Sequence, residues 1–422
     1  MFKELKIIKL LVIASFFVYI IQASFLKFNV SNYFFSSGSV EMNSSMKLYV
    51  ASNYSEKDKE LVIKDLSENY VQSINVDLKN NLTNDNDNDY LFVGYPLDDS
   101  YMVNIDGIKT SGIYMLEDIP FVVKSKEQTD ITIVFPYLNN HFYTQSSDGY
   151  FFTEEITHLS LNRNIPVDDY TSGMAKYFSY LDSNFSTKYI TDLDLENESD
   201  YFNSKLVIIY GRSSFWTAKM RQNILKYFND GGNILLITSQ TLDTKLWINK
   251  DKNTARTVEV DKEQNKQLLE KWALDKNESP FYQIGLTPKY GGLAINIYKS
   301  DYRILLKGHP IFKGLSDETV PIGGRNFMGA LIHWADGIPI AEDLSVFDGA
   351  DLSNLKVEIL AYAKCKNFYE NANSGIFVVK KDSTSGKIVA LGTEDWCLKR
   401  NQDKPEINKI TRNAIRYLLD EK

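Results

Sequence analysis

The stretch that decides the fold reads Leu206-Val207-Ile208-Ile209-Tyr210-Gly211-Arg212-Ser213-Ser214-Phe215-Trp216-Thr217-Ala218-Lys219-Met220-Arg221, and it leads on to Gly231-Gly232-Asn233-Ile234-Leu235-Leu236-Ile237. Leu206 to Tyr210 present no polar face, as expected of a parallel strand covered on both sides. The period then changes. Met220, Ile224, Tyr227 and Phe228 share one face of a helix over Ala218–Asp230. Thr217 is a natural N-cap and Gly231 a natural C′ residue. Ile234 to Ile237 form a second apolar strand, so the stretch is a βαβ unit of an open α/β sheet.

The same alternation extends outward. Ile131–Phe135 is a strand, Met174, Tyr177, Phe178 and Leu181 mark a helix, and Lys188–Thr191 is another strand. Lys387–Leu391 reads as a late strand. Pro405 opens a terminal helix carrying Ile407, Ile410, Ala414 and Leu418 on its apolar face. Signals between about 245 and 355 are mixed and read as an inserted, loop-rich segment. Before Asp130 the pattern is short β runs: Lys47–Val50, Tyr90–Val93, Gly112–Met115 and Phe121–Val123. The expected fold is an open, doubly wound, mostly parallel α/β domain over 129–422, preceded by a small β-sandwich over 45–128. Residues 25–44 read as a linker. The Asn80–Asp89 loop lacks the Gly and closing Glu of a calcium-binding EF-hand loop.

At the start of the chain, Lys3, Lys6 and Lys9 precede an apolar run from Leu10 to Ile21, broken only by Ser15, and then Gln22-Ala23-Ser24. This predicts export through residues 1–24, as a cleaved signal peptide or as a membrane anchor. Cys365 and Cys397 then form either one disulfide or two separate buried thiols. Seven Asn-x-Ser/Thr triplets matter only in a glycosylating host. With 47 basic against 55 acidic residues and no basic stripe, nucleic acid is not an expected partner.

Several strings in order resemble the N,N-dimethylformamidase large-subunit family. They are Ser111-Gly112-Ile113-Tyr114, Ser160-Leu161-Asn162-Arg163, Tyr189-Ile190-Thr191-Asp192-Leu193-Asp194-Leu195, Phe215 to Arg221, Gly231-Gly232-Asn233, and Gly392-Thr393-Glu394-Asp395-Trp396. The resemblance spans roughly 45–420 and implies an α/β half similar to class I glutamine amidotransferase-like domains. It also implies a mononuclear iron held by a His and a Glu two residues apart, together with tyrosines. Here Arg212 stands at the His position and Ser214 at the Glu position, while Ile165 falls at a tyrosine position. Arginine only donates hydrogen bonds, and a neutral serine replaces a carboxylate poorly. The resemblance therefore implies the fold but not the iron, and no cofactor is expected.

Ligands of open α/β sheets bind beyond the C-terminal strand ends. That rule selects Asn139, Asn140, His141 and Tyr143; Arg212, Ser213 and Ser214; Ser239, Gln240 and Thr241; and Thr393, Glu394 and Asp395. Of these, Asn139, Tyr143, Arg212, Ser213, Ser239, Gln240, Glu394 and Asp395 are candidate ligand-binding residues, and His141 with Ser214 a candidate catalytic pair. Ordinary helix capping and local pairing explain such residues at least as often. No elbow carries the Cys of an amidotransferase. His309, in Gly308-His309-Pro310, reads as a turn anchor, and His333 fits either role. Gly323-Gly324-Arg325 lacks the Lys-Ser/Thr of a phosphate loop. Two functions lead, an exported, non-iron relative binding a small anionic or sugar-like molecule or a surface glycan, and an active C–N hydrolase with a non-iron site; a purely structural envelope protein stays open as a third.

Overall fold

The computed structural model describes residues 33–35, 37–50, 56–78, 100–143, 158–163, 165, 167–261, 266–269, 272, 278–293, 301–322, 324–326, 329–331, 334–339, 355–365 and 372–421. The N-terminal apolar segment, the Tyr90–Val93 run, the Asn80–Asp89 loop and His333 lie outside them. Among the described residues, no helix is long and apolar enough to cross a membrane.

A nine-stranded mixed sheet forms the centre. In chain order its strands are β1 (Ile131–Phe135), β2 (Thr187–Thr191), β3 (Leu206–Arg212), β4 (Asn233–Ser239), β5 (Tyr302–Ile304), β6 (Thr319–Val320), β7 (Lys356–Cys365), β8 (Ala372–Lys380) and β9 (Lys387–Ala390). Their spatial order is β2-β1-β3-β4-β9-β8-β7-β5-β6. From β2 to β9 every pair is parallel. From β9 to β6 every pair is antiparallel. The parallel half is thus as the apolar runs predict. The long β7–β8 hairpin makes the sheet mixed rather than mostly parallel.

Four helices matter for the site: α1 (Tyr137–Tyr143), α2 (Asp169–Asn184), α3 (Ala218–Asn229) and α4 (Pro405–Leu418). The Thr217 side chain accepts from Met220 N at 3.1 Å and so caps α3. Gly231, at φ +100°, closes it as the spacing predicts. Met174, Phe178, Met220, Ile224, Ile410 and Ala414 join Ile133, Ile208 and Leu235 in one core. Each fully buried Leu or Ile there contributes about 2 kcal/mol. Gly173 lets α2 approach the C-terminal turn, because a Cβ there would lie 2.2 Å from the Cys397 carbonyl oxygen.

The residues before Asp130 form two further sheets. One has five strands, in the order Ser39–Glu41, Ile119–Lys124, Gly112–Leu116, Glu56–Asp65 and Tyr70–Leu78; the other joins Tyr33–Phe35, Met46–Val50 and Tyr101–Ile105. Strands at 33–35 and 39–41 therefore occupy part of the stretch read as linker. Side chains alternate along a strand. Phe121 and Val123 enter a core with Leu48, Leu61 and Ile105, whereas Val122 and Ile113 point into the core of the large sheet. Lys124 adds a polar tie, its Nζ lying 2.8 Å from Asp194 and 3.2 Å from Asp200.

Candidate functional site

Strand β3 ends in the Gly211–Arg212 step. Gly211 has φ +71°, a conformation disfavoured for residues with a Cβ. Beyond it, the Arg212 guanidinium carbon lies 4.3 Å from the Tyr143 ring centroid and 5.4 Å from that of Tyr170. Such stacking stabilises a cation by about 0.5–2 kcal/mol. Among the described residues no hydrogen-bond acceptor engages the buried Arg212 Nε.

Two small networks flank this guanidinium. In the first, the Tyr143 hydroxyl lies 2.5 Å from Ser214 Oγ and donates to Gln240 Oε1 at 2.7 Å, while Ser214 Oγ donates to the same oxygen at 2.9 Å. In the second, Tyr170 donates to Glu394 Oε1 at 2.6 Å and Ser239 donates to Glu394 Oε2 at 3.0 Å. Tyr143 sits at the end of α1, Tyr170 near the start of α2, Ser239 at the end of β4 and Glu394 in a 3-10 turn after β9. With Arg212 and Ser214 after β3, the site draws on five separate segments, four of which the strand-end rule selects.

Electrostatics follow from burial. Desolvation raises the Glu394 pKa, with Arg212 and Tyr170 pulling the other way. Burial likewise raises Tyr143 and Tyr170, so both phenols stay protonated at neutral pH. For Arg212, burial opposes the charge, but Glu394 foremost, with Tyr170, Tyr143 and Asp168, holds its pKa above the usual arginine value. Gln240 itself is held in a left-handed conformation, φ +54°. Asp336 clamps it there: its carboxylate accepts from Gln240 N at 2.8 Å and Thr241 N at 3.1 Å.

Other predicted residues serve the scaffold. Asn139 Oδ1 accepts from Phe215 N at 2.9 Å and its Nδ2 donates to Asp192 at 3.0 Å, so both ends of the amide are engaged. The Ser213 carbonyl accepts from Trp216 Nε1 at 2.6 Å. Asp395 lies in the Thr393-capped turn, 3.8 Å from Arg400. His141 is fully buried and its Nδ1 accepts from Arg163 Nε at 3.1 Å. Burial foremost, then the Arg163 charge, pushes its pKa well below the usual histidine value. The hydrogen bonds of Ser214 run to Tyr143 and Gln240 and not to His141. His309 caps its turn by accepting from Ile311 N at 3.3 Å, as the Gly-His-Pro string suggests. Cys397 is a free buried thiol donating to the Ile237 carbonyl at 3.3 Å. Among the described residues no group of three His, Cys, Asp or Glu side chains gathers as a metal ligand set.

Sequence reasoning missed Tyr170, Asp168 and Asp336. Tyr170 falls seven residues beyond Arg163, on a helix whose register the apolar stripe does place. Its proximity to Arg212 needed the three-dimensional strand order. Ile165, aligned with a tyrosine position, lies instead beside Tyr137 and Arg163.

A family model described as N,N-dimethylformamidase beta subunit-like, C-terminal, matches residues 100–406, well over half of the chain. The chain belongs to this family. The match takes in every residue of the candidate site described above. No curated protein matches the chain. Among solved structures, the chain is similar to a beta-galactosidase from Bacillus circulans sp. alkalophilus, with TM-score 0.33, 10% identity, and coverage of 68% of this chain and 31% of that one. It is also similar to the mmIFT52 N-terminal domain, with TM-score 0.32, 15% identity, and coverage of 58% and 88%. At such scores neither likeness bears on function, and the chain spans under a third of the galactosidase.

Proposed function

We propose that this N,N-dimethylformamidase-like protein has exchanged the iron site of the resemblance for a binding site, which takes a small anionic or sugar-like molecule or a surface glycan. The observation that carries this reading is the Arg212 guanidinium stacked on Tyr143 and Tyr170, with Ser214 tied to Tyr143 and Gln240. A fixed positive charge over both rings repels a metal ion, and the neutral hydroxyls around it are poor metal ligands. These residues do not fit iron. Guanidinium donors beside hydroxyls and a buried carboxylate suit a hydrogen-bonding ligand. The wider reading is an exported or anchored protein with a glutamine amidotransferase-like half from about residue 129 and a β-sandwich before it.

A second reading, C–N hydrolysis without iron, draws on Ser239 donating to Glu394, whose raised pKa suits a general base. It moves the nucleophile from Ser214 to Ser239. Metal analysis of purified protein, combined with ligand screening of wild type and Arg212→Ala, tests the proposal. Stoichiometric iron, or a ligand profile untouched by Arg212→Ala, would overturn it. Turnover of simple amides that is lost in Ser239→Ala would favour the hydrolase.

A further inference from the structure

Charge balance at the strand-end site narrows the kind of molecule it accepts. Arg212 is its cation, and four observations bear on what the guanidinium meets. Its described contacts are the rings of Tyr143 and Tyr170, which do not satisfy its N–H donors as an oxygen acceptor would. No hydrogen bond or contact ion pair joins it to a carboxylate among the described residues. Its Nε is buried without an acceptor among them, a state that persists only at a cost unless a partner arrives. Yet its charge is already balanced at longer range: Glu394 and Asp168 are the carboxylates that favour the charged guanidinium. Glu394 is buried and, among the described residues, accepts one hydrogen bond at each oxygen, from Tyr170 and Ser239. A carboxylate has about four acceptor positions, so further donors can be accommodated.

An incoming anion would satisfy the guanidinium but leave Glu394 and Asp168 facing it in a desolvated place, which is strongly unfavourable. An uncharged hydroxyl avoids this conflict, because it accepts from Arg212 and donates to Glu394, which keeps free acceptor positions. Like-charge rejection of this kind is a common basis of specificity. We infer that the Arg212–Glu394 arrangement selects a neutral, hydroxyl-rich ligand of sugar type and rejects its anionic counterpart. This rests on the binding role proposed above. Glu394 acts as the gate against negative charge and Arg212 as the donor to a ligand oxygen.

The test uses matched pairs differing only in charge: D-glucose with D-glucuronate, and D-galactose with D-galacturonate. They are titrated calorimetrically into the full chain, its Glu394→Gln variant and its Arg212→Ala variant. Wild type should bind a neutral member at least about tenfold more tightly than its uronate, a difference of about 1.4 kcal/mol. Glu394→Gln should erase or reverse that preference, and Arg212→Ala should abolish binding of both. Uronate binding equal to or tighter than that of the neutral sugar in wild type, still dependent on Arg212, overturns the neutral class while leaving the binding role intact. Saturable binding of no member of the panel overturns both. If Glu394→Gln does not fold, the wild-type comparison decides alone.

Discussion

Two arginines, both withdrawn from water, sit on the same end of the sheet and are treated in opposite ways. Arg163 is spent on the protein: its guanidinium donates to the His141 ring nitrogen and to the His141 backbone carbonyl, and burial pulls its pKa down to about 10. Arg212 has carboxylates near enough to favour its charge but, among the described residues, none in contact, and its described contacts are aromatic rings. A hydrogen-bonded buried charge is a structural member, since removing one partner strands the other. A stacked charge with open donors adds little to stability and is available to a ligand. The contrast separates scaffold from site along with burial, Arg163 being buried and Arg212 only partly so.

Arg163→Ala should be the most damaging change, costing about 3–5 kcal/mol in urea unfolding, because His141 loses donors at two buried acceptors. A loss below about 1 kcal/mol would end the claim that Arg163 is structural. Next is the carboxylate that positions Gln240. Burial raises the Asp336 pKa to about 7, above its ordinary unfolded value. The folded state therefore holds a proton that the unfolded state releases, so this contribution is present below about pH 4 and lost as pH rises towards 7. Asp336→Asn should flatten that fall, by an amount on the order of 2–4 kcal/mol between the two ends. Parallel pH–stability curves for variant and wild type would refute the assignment.

A smaller effect is expected at Gly173, where Ala would press on the Cys397 carbonyl and cost about 1–3 kcal/mol. Smallest of all should be Arg212→Gln, shifting stability by no more than about 1 kcal/mol while removing sugar binding. If Arg212→Gln destabilises as much as Arg163→Ala, the two arginines are equivalent and the comparison fails.

The sequence made the parallel half of the sheet legible because its strands are unbroken apolar runs, Leu206–Tyr210 above all, with capped helices between them. The antiparallel half escaped because Lys356–Cys365 and Ala372–Lys380 follow closely in sequence without the amphipathic helix that sets off each strand of the parallel half. Within the site, Arg212, Ser214, Tyr143, Ser239, Gln240 and Glu394 were visible from the strand-end rule, and they do cluster. Asn139 and His141 obeyed the same rule but turn inward, to Phe215 and Arg163. Position along a strand predicts which end a residue occupies; the direction of its side chain depends on partners far away in sequence. Asp336 could not be seen at all, since it reaches Gln240 from the segment read as a loop-rich insertion.

Strands Gly112–Leu116 and Ile119–Lys124 serve two masters, sending Phe121 and Val123 to one side and Ile113 and Val122 to the other. A boundary drawn at residue 128 by composition would cut through this shared wall. The residues after it, produced alone, would carry a bare apolar scar and lose the Lys124 tie to Asp194 and Asp200. The two parts should therefore melt in one cooperative transition, and tightening or loosening the small sheets should be felt at the helix that carries Tyr143.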